Sequence, residues 1–136
     1  MNTYKHTVHY YETDRMGITH HSNYIRWMEE ARVAFLSQMD WPYARMEEEG
    51  IFSPVTAIDC KYKTSTTFAD DVLIQVAVEE LRGARLKLKY VMKNQEGAIV
   101  CEARSEHAFI NKAGRPIRLQ KEYPAFYQAM EALKED

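Results

Sequence analysis

The sequence predicts an α+β fold in which one long helix faces a five-stranded, strongly curved antiparallel sheet. Three observations lead there. Apolar and polar residues alternate over residues 4–11 and again in several runs after residue 52. Between those regions, residues 24–36 carry apolar side chains at helical spacing. Turn-forming residues then separate the later runs closely enough for hairpins.

In residues 4–11, His6, Val8 and Tyr10 share one face and Thr7, His9 and Tyr11 the other, a strand rich in β-formers. Gly17 interrupts, and a helix is expected to open near residues 19–23, with Thr19, Ser22 or Asn23 as its cap. Tyr24, Trp27, Met28, Ala31, Ala34 and Phe35 form its apolar stripe, and Val33 and Leu36 widen it. A stripe that wide predicts a helix enclosed by sheet. Asp40 and Pro42 open a short second helix that Gly50 closes.

From Phe52 the period becomes two. Ile58, Cys60 and Tyr62 face away from Asp59, Lys61 and Lys63. Val72, Ile74, Val76 and Val78 form the next apolar face, and Arg82-Gly83 turns the chain into Leu86, Leu88, Tyr90 and Met92. Asn94 to Gly97 is a second hairpin turn, leading into a long strand over 98–110 with small residues at Ala103, Ser105 and Ala108. Pro124 begins a terminal helix with Phe126, Met130 and Leu133 on one side. The order β, long α, then four antiparallel strands allows one economical layering, helix on sheet.

The composition excludes several classes of function. At 136 residues the chain is expected to form a single domain over 1–136, with 46% hydrophobic and 28% charged residues as in ordinary globular proteins. A formal charge of −2 argues against general nucleic-acid binding. No apolar run is long enough for a membrane span, and the first residues lack a signal-peptide core. Cys60 and Cys101 lie far apart in sequence without a C-x-x-C pair, which suits a reducing compartment, and a cytoplasmic protein is expected. Both cysteines fall in strand patterns and read as small core residues. There is no nucleophile-elbow, P-loop or dinucleotide-binding motif, so no cofactor is expected.

Asp14 is the central candidate for chemistry. A carboxylate in a glycine-containing loop is by default a turn residue. Two features point further. It lies between aromatic-rich elements that would shield it from water and raise its basicity. It also precedes a helix start, whose free N–H groups can stabilise an oxyanion. His21 stands at that start. No metal is expected: on a continuous strand His6 and His9 would point to opposite faces, and His20 and His21 would diverge. Glu29 and Arg32, spaced i, i+3, are expected to pair with each other or with the sheet. Residues 81–95 hold Arg82, Arg85, Lys87, Lys89 and Lys93 and no acidic residue before Glu96.

Tyr11, Thr13-Asp14, Gly17, His21, Asn23-Tyr24, Glu29 and Ala31-Arg32 agree with a family pattern all at once. Residues 10–32 resemble the 4-hydroxybenzoyl-CoA thioesterase/YbgC-like branch of the hotdog-fold acyl-CoA thioesterases. Length and element order agree more loosely over the rest of the chain. The resemblance implies a hotdog fold and hydrolysis of an acyl-CoA thioester, with Asp14 as nucleophile or general base. It implies that the backbone N–H near His21 faces the thioester oxygen. Tyr11, Gly17 and Tyr24 are expected substrate contacts, although Tyr24 on its helix face is by default a core residue, and Arg82 and Arg85, by default part of a solvated strand face, are expected to hold the phosphates of CoA. It further implies a homodimer or homotetramer with the active site between subunits. Other hotdog activities remain alternatives: an acyl-ACP thioesterase, a hydro-lyase, or a non-catalytic acyl-CoA-binding module.

Overall fold

The first strand, β1 (Asn2–Thr7), is shorter than its alternating pattern, because the chain leaves the sheet after Val8 and coils into a 3-10 turn over Tyr10–Glu12. The fold is that of a computed structural model, which describes residues 2–134. The helix α1 (Ser22–Gln38) follows, then α2 (Tyr43–Glu49). Next come β2 (Val55–Tyr62), β3 (Asp71–Arg82), β4 (Arg85–Lys93) and β5 (Ile99–Ala108). Two short helices close the chain, α3 (Leu119–Glu122) and α4 (Pro124–Glu131).

The five strands make one antiparallel sheet in the order β1-β3-β4-β5-β2. Helix α1 buries Tyr24, Trp27, Met28, Ala31, Arg32, Phe35 and Leu36. These meet Val72, Ile74, Val76, Val78, Leu88, Tyr90 and Met92 of β3 and β4 in a shared core. The enclosure is one-sided: Ile25 and Val33 are each 40% exposed, so Val33 does not widen the buried stripe. Phe126 and Met130 of α4 are buried, whereas Leu133 is not.

Helix α1 begins without a side-chain cap; His21 occupies the cap position and Thr19 pairs with Thr13 and Thr66 instead. Gly50 ends α2 in the left-handed region at φ 89°. Strand β2 differs from the other strands after the first helix. It is an edge strand whose residues are exposed on both faces, with Val55, Ile58 and Tyr62 all open, and only Cys60 half-buried against Met28.

One buried polar chain crosses the core. Arg32 lies 7% exposed and donates to the hydroxyls of Tyr43 and Tyr90, each at 3.1 Å. Tyr90 then bonds Ser105 at 2.7 Å, and Ser105 bonds His107 at 2.8 Å. Arg32 therefore pairs with the sheet and not with Glu29, which is exposed. A guanidinium reaches that far because its stem packs along the helix while its fork finds oxygen acceptors.

Burial, then the nearby Arg32 charge, push the His107 imidazole down to about 4 from an ordinary 6.5. A folded-state value below the unfolded one means that only the unfolded chain takes up the proton between those limits. The stability held above pH 6.5 is therefore lost as pH falls towards 4, by about 3 kcal/mol at full extent. Urea unfolding of wild type and His107→Gln between pH 7.5 and 4 checks this, the variant showing the shallower decline.

Candidate active site

Residues 13–19 form a tight hairpin. Thr13 pairs with Thr19, the Asp14 N–H donates to the Ile18 carbonyl at 2.8 Å, and Gly17 N–H donates back to the Asp14 carbonyl at 2.9 Å. Gly17 sits at φ +81°, a conformation a Cβ would strain, so the glycine is what lets so short a turn close. The turn is docked on the loop before β3: Thr67 Oγ1 donates to the Gly17 carbonyl at 2.6 Å and Thr19 N–H to the Thr66 carbonyl at 2.8 Å.

Asp14 is half-buried at the near end of this hairpin, and its Oδ1 accepts the Met16 N–H at 2.8 Å. That bond is the turn-stabilising role expected of an aspartate here. The residue also lines a cleft of about 280 Å³ together with His21, Tyr24, Tyr62, Thr19 and Lys63. Asp14 and His21 are thus brought together across the hairpin. The His21 N–H has no acceptor among the described residues, whereas the next two helix-start N–H groups are taken by His20. The imidazoles of His20 and His21 do not diverge but stack, with centroids 4.3 Å apart.

Tyr24 enters the cleft wall with its ring, while its hydroxyl bonds Thr66 at 3.1 Å. Tyr62, on the open edge strand, packs edge-on to Tyr24 at 5.2 Å and donates to the His21 carbonyl at 3.3 Å. Burial, then the neighbouring Cys60, raise the Tyr62 hydroxyl to about 12, so it stays a donor. The sequence pattern offered no reason to single out Tyr62, because its partners come from an element forty residues earlier. Its neighbours Cys60 and Cys101, distant in sequence, stand on the adjacent strands β2 and β5, Cys101 directly opposite Tyr62. The nearby Cys101 thiol draws the Cys60 thiol down to about 7, and Cys101 itself is raised.

Tyr11 is 80% exposed and stacks on His9 at 5.0 Å. It borders a second, larger groove along the outer face of α1, which Asp14 also touches, and not the cleft with His21. Gly17 likewise lies outside that cleft. Arg82 and Arg85 face each other at the β3–β4 turn. The Asp14 hairpin docks at the opposite end of β3, so the arginines stand roughly 35 Å away along the strand within one chain.

The largest omission from the sequence reading is Glu12. Its carboxylate is 4% exposed and fully satisfied: Oε1 accepts the His9 N–H at 2.8 Å and meets His6 Nε2 at 2.8 Å, and Oε2 accepts Trp27 Nε1–H at 2.8 Å. Burial acts to raise its pKa, but the His9, His6 and Trp27 donors outweigh it and hold the group below the usual carboxylate range. No local signal could have found it, because strand parity ends with β1 at Thr7, and Tyr10 at the same parity is exposed. Because β1 ends at Thr7, His6 and His9 do not oppose each other; their rings meet edge-on at 5.4 Å. His6, His9 and Glu12 offer ligand atoms within 4.8 Å of one another. His6 and Glu12 give those atoms to each other, and a cation would have to break that bond.

Comparison with known proteins shows the family of the chain. The family model of the thioesterase-like superfamily matches residues 8–132. The chain belongs to that superfamily. A relative from Bacillus subtilis, named "Putative acyl-CoA thioesterase YneP", is 33% identical over 93% of both chains. The acyl-CoA thioester hydrolase YbgC of Escherichia coli O157:H7 is 25% identical, over 71% of this chain and 72% of that one. Among solved structures, the DHNA-CoA thioesterase of Staphylococcus aureus superposes with a TM-score of 0.90 at 32% identity, over 96% of this chain and 89% of that one. The overall fold of this superfamily member is therefore shared with an enzyme named for thioester hydrolysis.

Gly17→Ala isolates the turn. Nothing lies within 4 Å of the added Cβ, so its cost is conformational only. A loss of about 1 kcal/mol in urea-unfolding stability is expected, with no change in the unfolding m-value.

Proposed function

We propose that the chain is an acyl-CoA thioesterase in which Asp14 is the nucleophile or general base and the His21 N–H the oxyanion donor. The observation that carries this reading is the cleft shared by Asp14 and His21, with the one N–H of the helix start left without an acceptor. A thioester carbonyl oxygen at that N–H would place its carbon towards the Asp14 carboxylate. Water supplies the hydroxyl that ends on the acyl carbon, the carbon–sulfur bond breaks, and the thiolate leaves and takes up the proton. A thiolate is a good enough leaving group that no strong acid is needed, which suits so sparse a site.

The rings of His21, Tyr24 and Tyr62 favour a flat aromatic acyl group, and the named substrate of the Staphylococcus aureus relative supports the same class. Thiol release across short, long and aromatic acyl-CoAs tests this, with the highest kcat/KM expected for an aromatic one. Two free thiols fit a reducing, cytoplasmic setting.

The protein is proposed to act as a homodimer joined through β2. An edge strand open on both faces, with Val55, Ile58 and Tyr62 exposed, presents unpaired backbone groups and apolar surface together. Antiparallel pairing of two β2 strands would set the Val55 end of one beside the Tyr62 end of the other. Val55 pairs with His107, and Arg85 with Ala108, so the partner's hairpin would approach this chain's cleft. That arrangement gives Arg82 and Arg85 access to CoA phosphates that they lack within one chain. Gel filtration is expected to show a dimer or larger species at micromolar concentration. Ile58→Arg should shift it to monomer and lower thiol release at least tenfold; an active monomer would remove the shared site.

Asp14→Asn is the direct test of the chemistry. Asn keeps the volume and can still accept the Met16 N–H, but it neither attacks well nor takes a proton. A fall in kcat of roughly 10²–10⁴ with a much smaller change in KM is expected. Wild-type turnover in the variant would exclude Asp14 from the reaction.

A further inference from the structure

We propose that Glu12 is a positioning residue for the thioesterase reaction, locking the Asp14 hairpin and the His21 N–H into one register. The inference rests on the roles proposed above for Asp14 and His21. It is carried by where the bonds of this one residue go.

Its side chain is held from three directions, by His6 of β1, by Trp27 of α1 and by the His9 N–H of the preceding turn. Its main chain holds the site. The Glu12 carbonyl accepts the His20 N–H at 2.8 Å and the Asn23 Nδ2–H at 2.9 Å. His20 directly precedes the residue with the free N–H, and Asn23 lies in the first turn of α1. Two residues beyond Glu12 in the other direction stands Asp14. The carboxylate and the oxyanion donor are therefore both tied to one buried anchor. The outer end of the hairpin is exposed, and its Met16 and Gly17 N–H bonds turn back on Asp14 itself. Those bonds shape the turn but do not fix it relative to α1.

A reacting pair displaced by about 1 Å can lose on the order of 10² in rate. Loosening this anchor should thus reach kcat before it reaches substrate binding. Contacts that hold a reacting group in place are commonly buried and fully satisfied in this way. Glu12 itself does not touch the cleft with His21, so its action runs through its neighbours.

The test measures thiol release for Glu12→Gln, Asn23→Ala, Asp14→Asn and the doubles with Asp14→Asn. Gln keeps the shape of Glu12 but brings an NH₂ group among three donors. Asn23→Ala removes one bond to the Glu12 carbonyl from a half-exposed position, so it stays informative if Glu12→Gln does not fold. Expected are a kcat lowered about 10–100-fold in Glu12→Gln and about 3–10-fold in Asn23→Ala, with KM within about threefold. Each double should lose less than the product of its two singles, because the share of the loss that runs through Asp14 is already gone and only the His21 N–H is left to position. Wild-type kcat in the folded Glu12 and Asn23 variants, with Asp14→Asn crippled, overturns this inference and leaves the Asp14 role standing. Fully multiplicative losses in the doubles also overturn it, since a merely structural defect would add. Wild-type kcat in Asp14→Asn instead overturns the Asp14 role, and this inference with it.

Discussion

A buried carboxylate must be met by donors or it will not stay charged, and the Glu12 carboxylate is met by three. The His6 ring, the Trp27 indole and the His9 N–H come from a strand, a helix and the turn between them. Each of those elements has other reasons to be where it is. β1 is zipped to β3, and Trp27 is wholly buried beneath α1. Their common dependence on one acid fixes how the strand, the turn and the helix meet. The hairpin that carries Asp14 begins one residue later, so the proposed site would inherit its geometry from that meeting point. Replacing one donor would leave a buried charge under-satisfied, which is why such a cluster tolerates little change.

The core shows the same economy in its second polar chain. Arg32 carries its charge into the sheet with two tyrosine hydroxyls as partners, and Tyr90 passes the contact to Ser105 and His107. Among the described residues no buried side-chain nitrogen or oxygen lacks a partner. A helix laid on a sheet by apolar contact alone can slide by a turn at modest cost. A guanidinium that must find particular hydroxyls removes that freedom, so the chain of bonds sets the register of α1 against β4 and β5. The His6–Glu12–Trp27 contacts do the same at the other end of the helix.

The two edges of the sheet differ in their side chains. Strand β1 occupies one edge and β2 the other, and β2 is the one exposed on both faces. Tyr62 belongs to this strand and is also part of the cleft wall. A partner paired along β2 would cover the same edge that carries Tyr62, which couples assembly to the site through one element.

What the sequence alone determined was whatever depends on local periodicity and turn chemistry. The alternation in β3 and β4, the positive-φ glycines at the hairpins, the helical stripe from Tyr24 to Leu36 and the acid before the helix were all legible, because each is written in neighbouring residues. The family pattern over 10–32 added the thioesterase-like family itself. Tertiary structure decided the rest. Strand β1 stops at Thr7 because Glu12 draws the chain inward, and that turn brings His6 towards His9. Tyr62 and Cys101 reach their neighbours across strands whose register no local pattern sets. Arg32 prefers the hydroxyls of Tyr43 and Tyr90 to Glu29 because burial makes a fixed acceptor worth more than a solvated charge. Arg82 and Arg85 lie at the far end of the sheet because twelve extended residues of β3 separate them from the hairpin. In each case the deciding partner is distant in sequence, and only the folded chain brings it within reach.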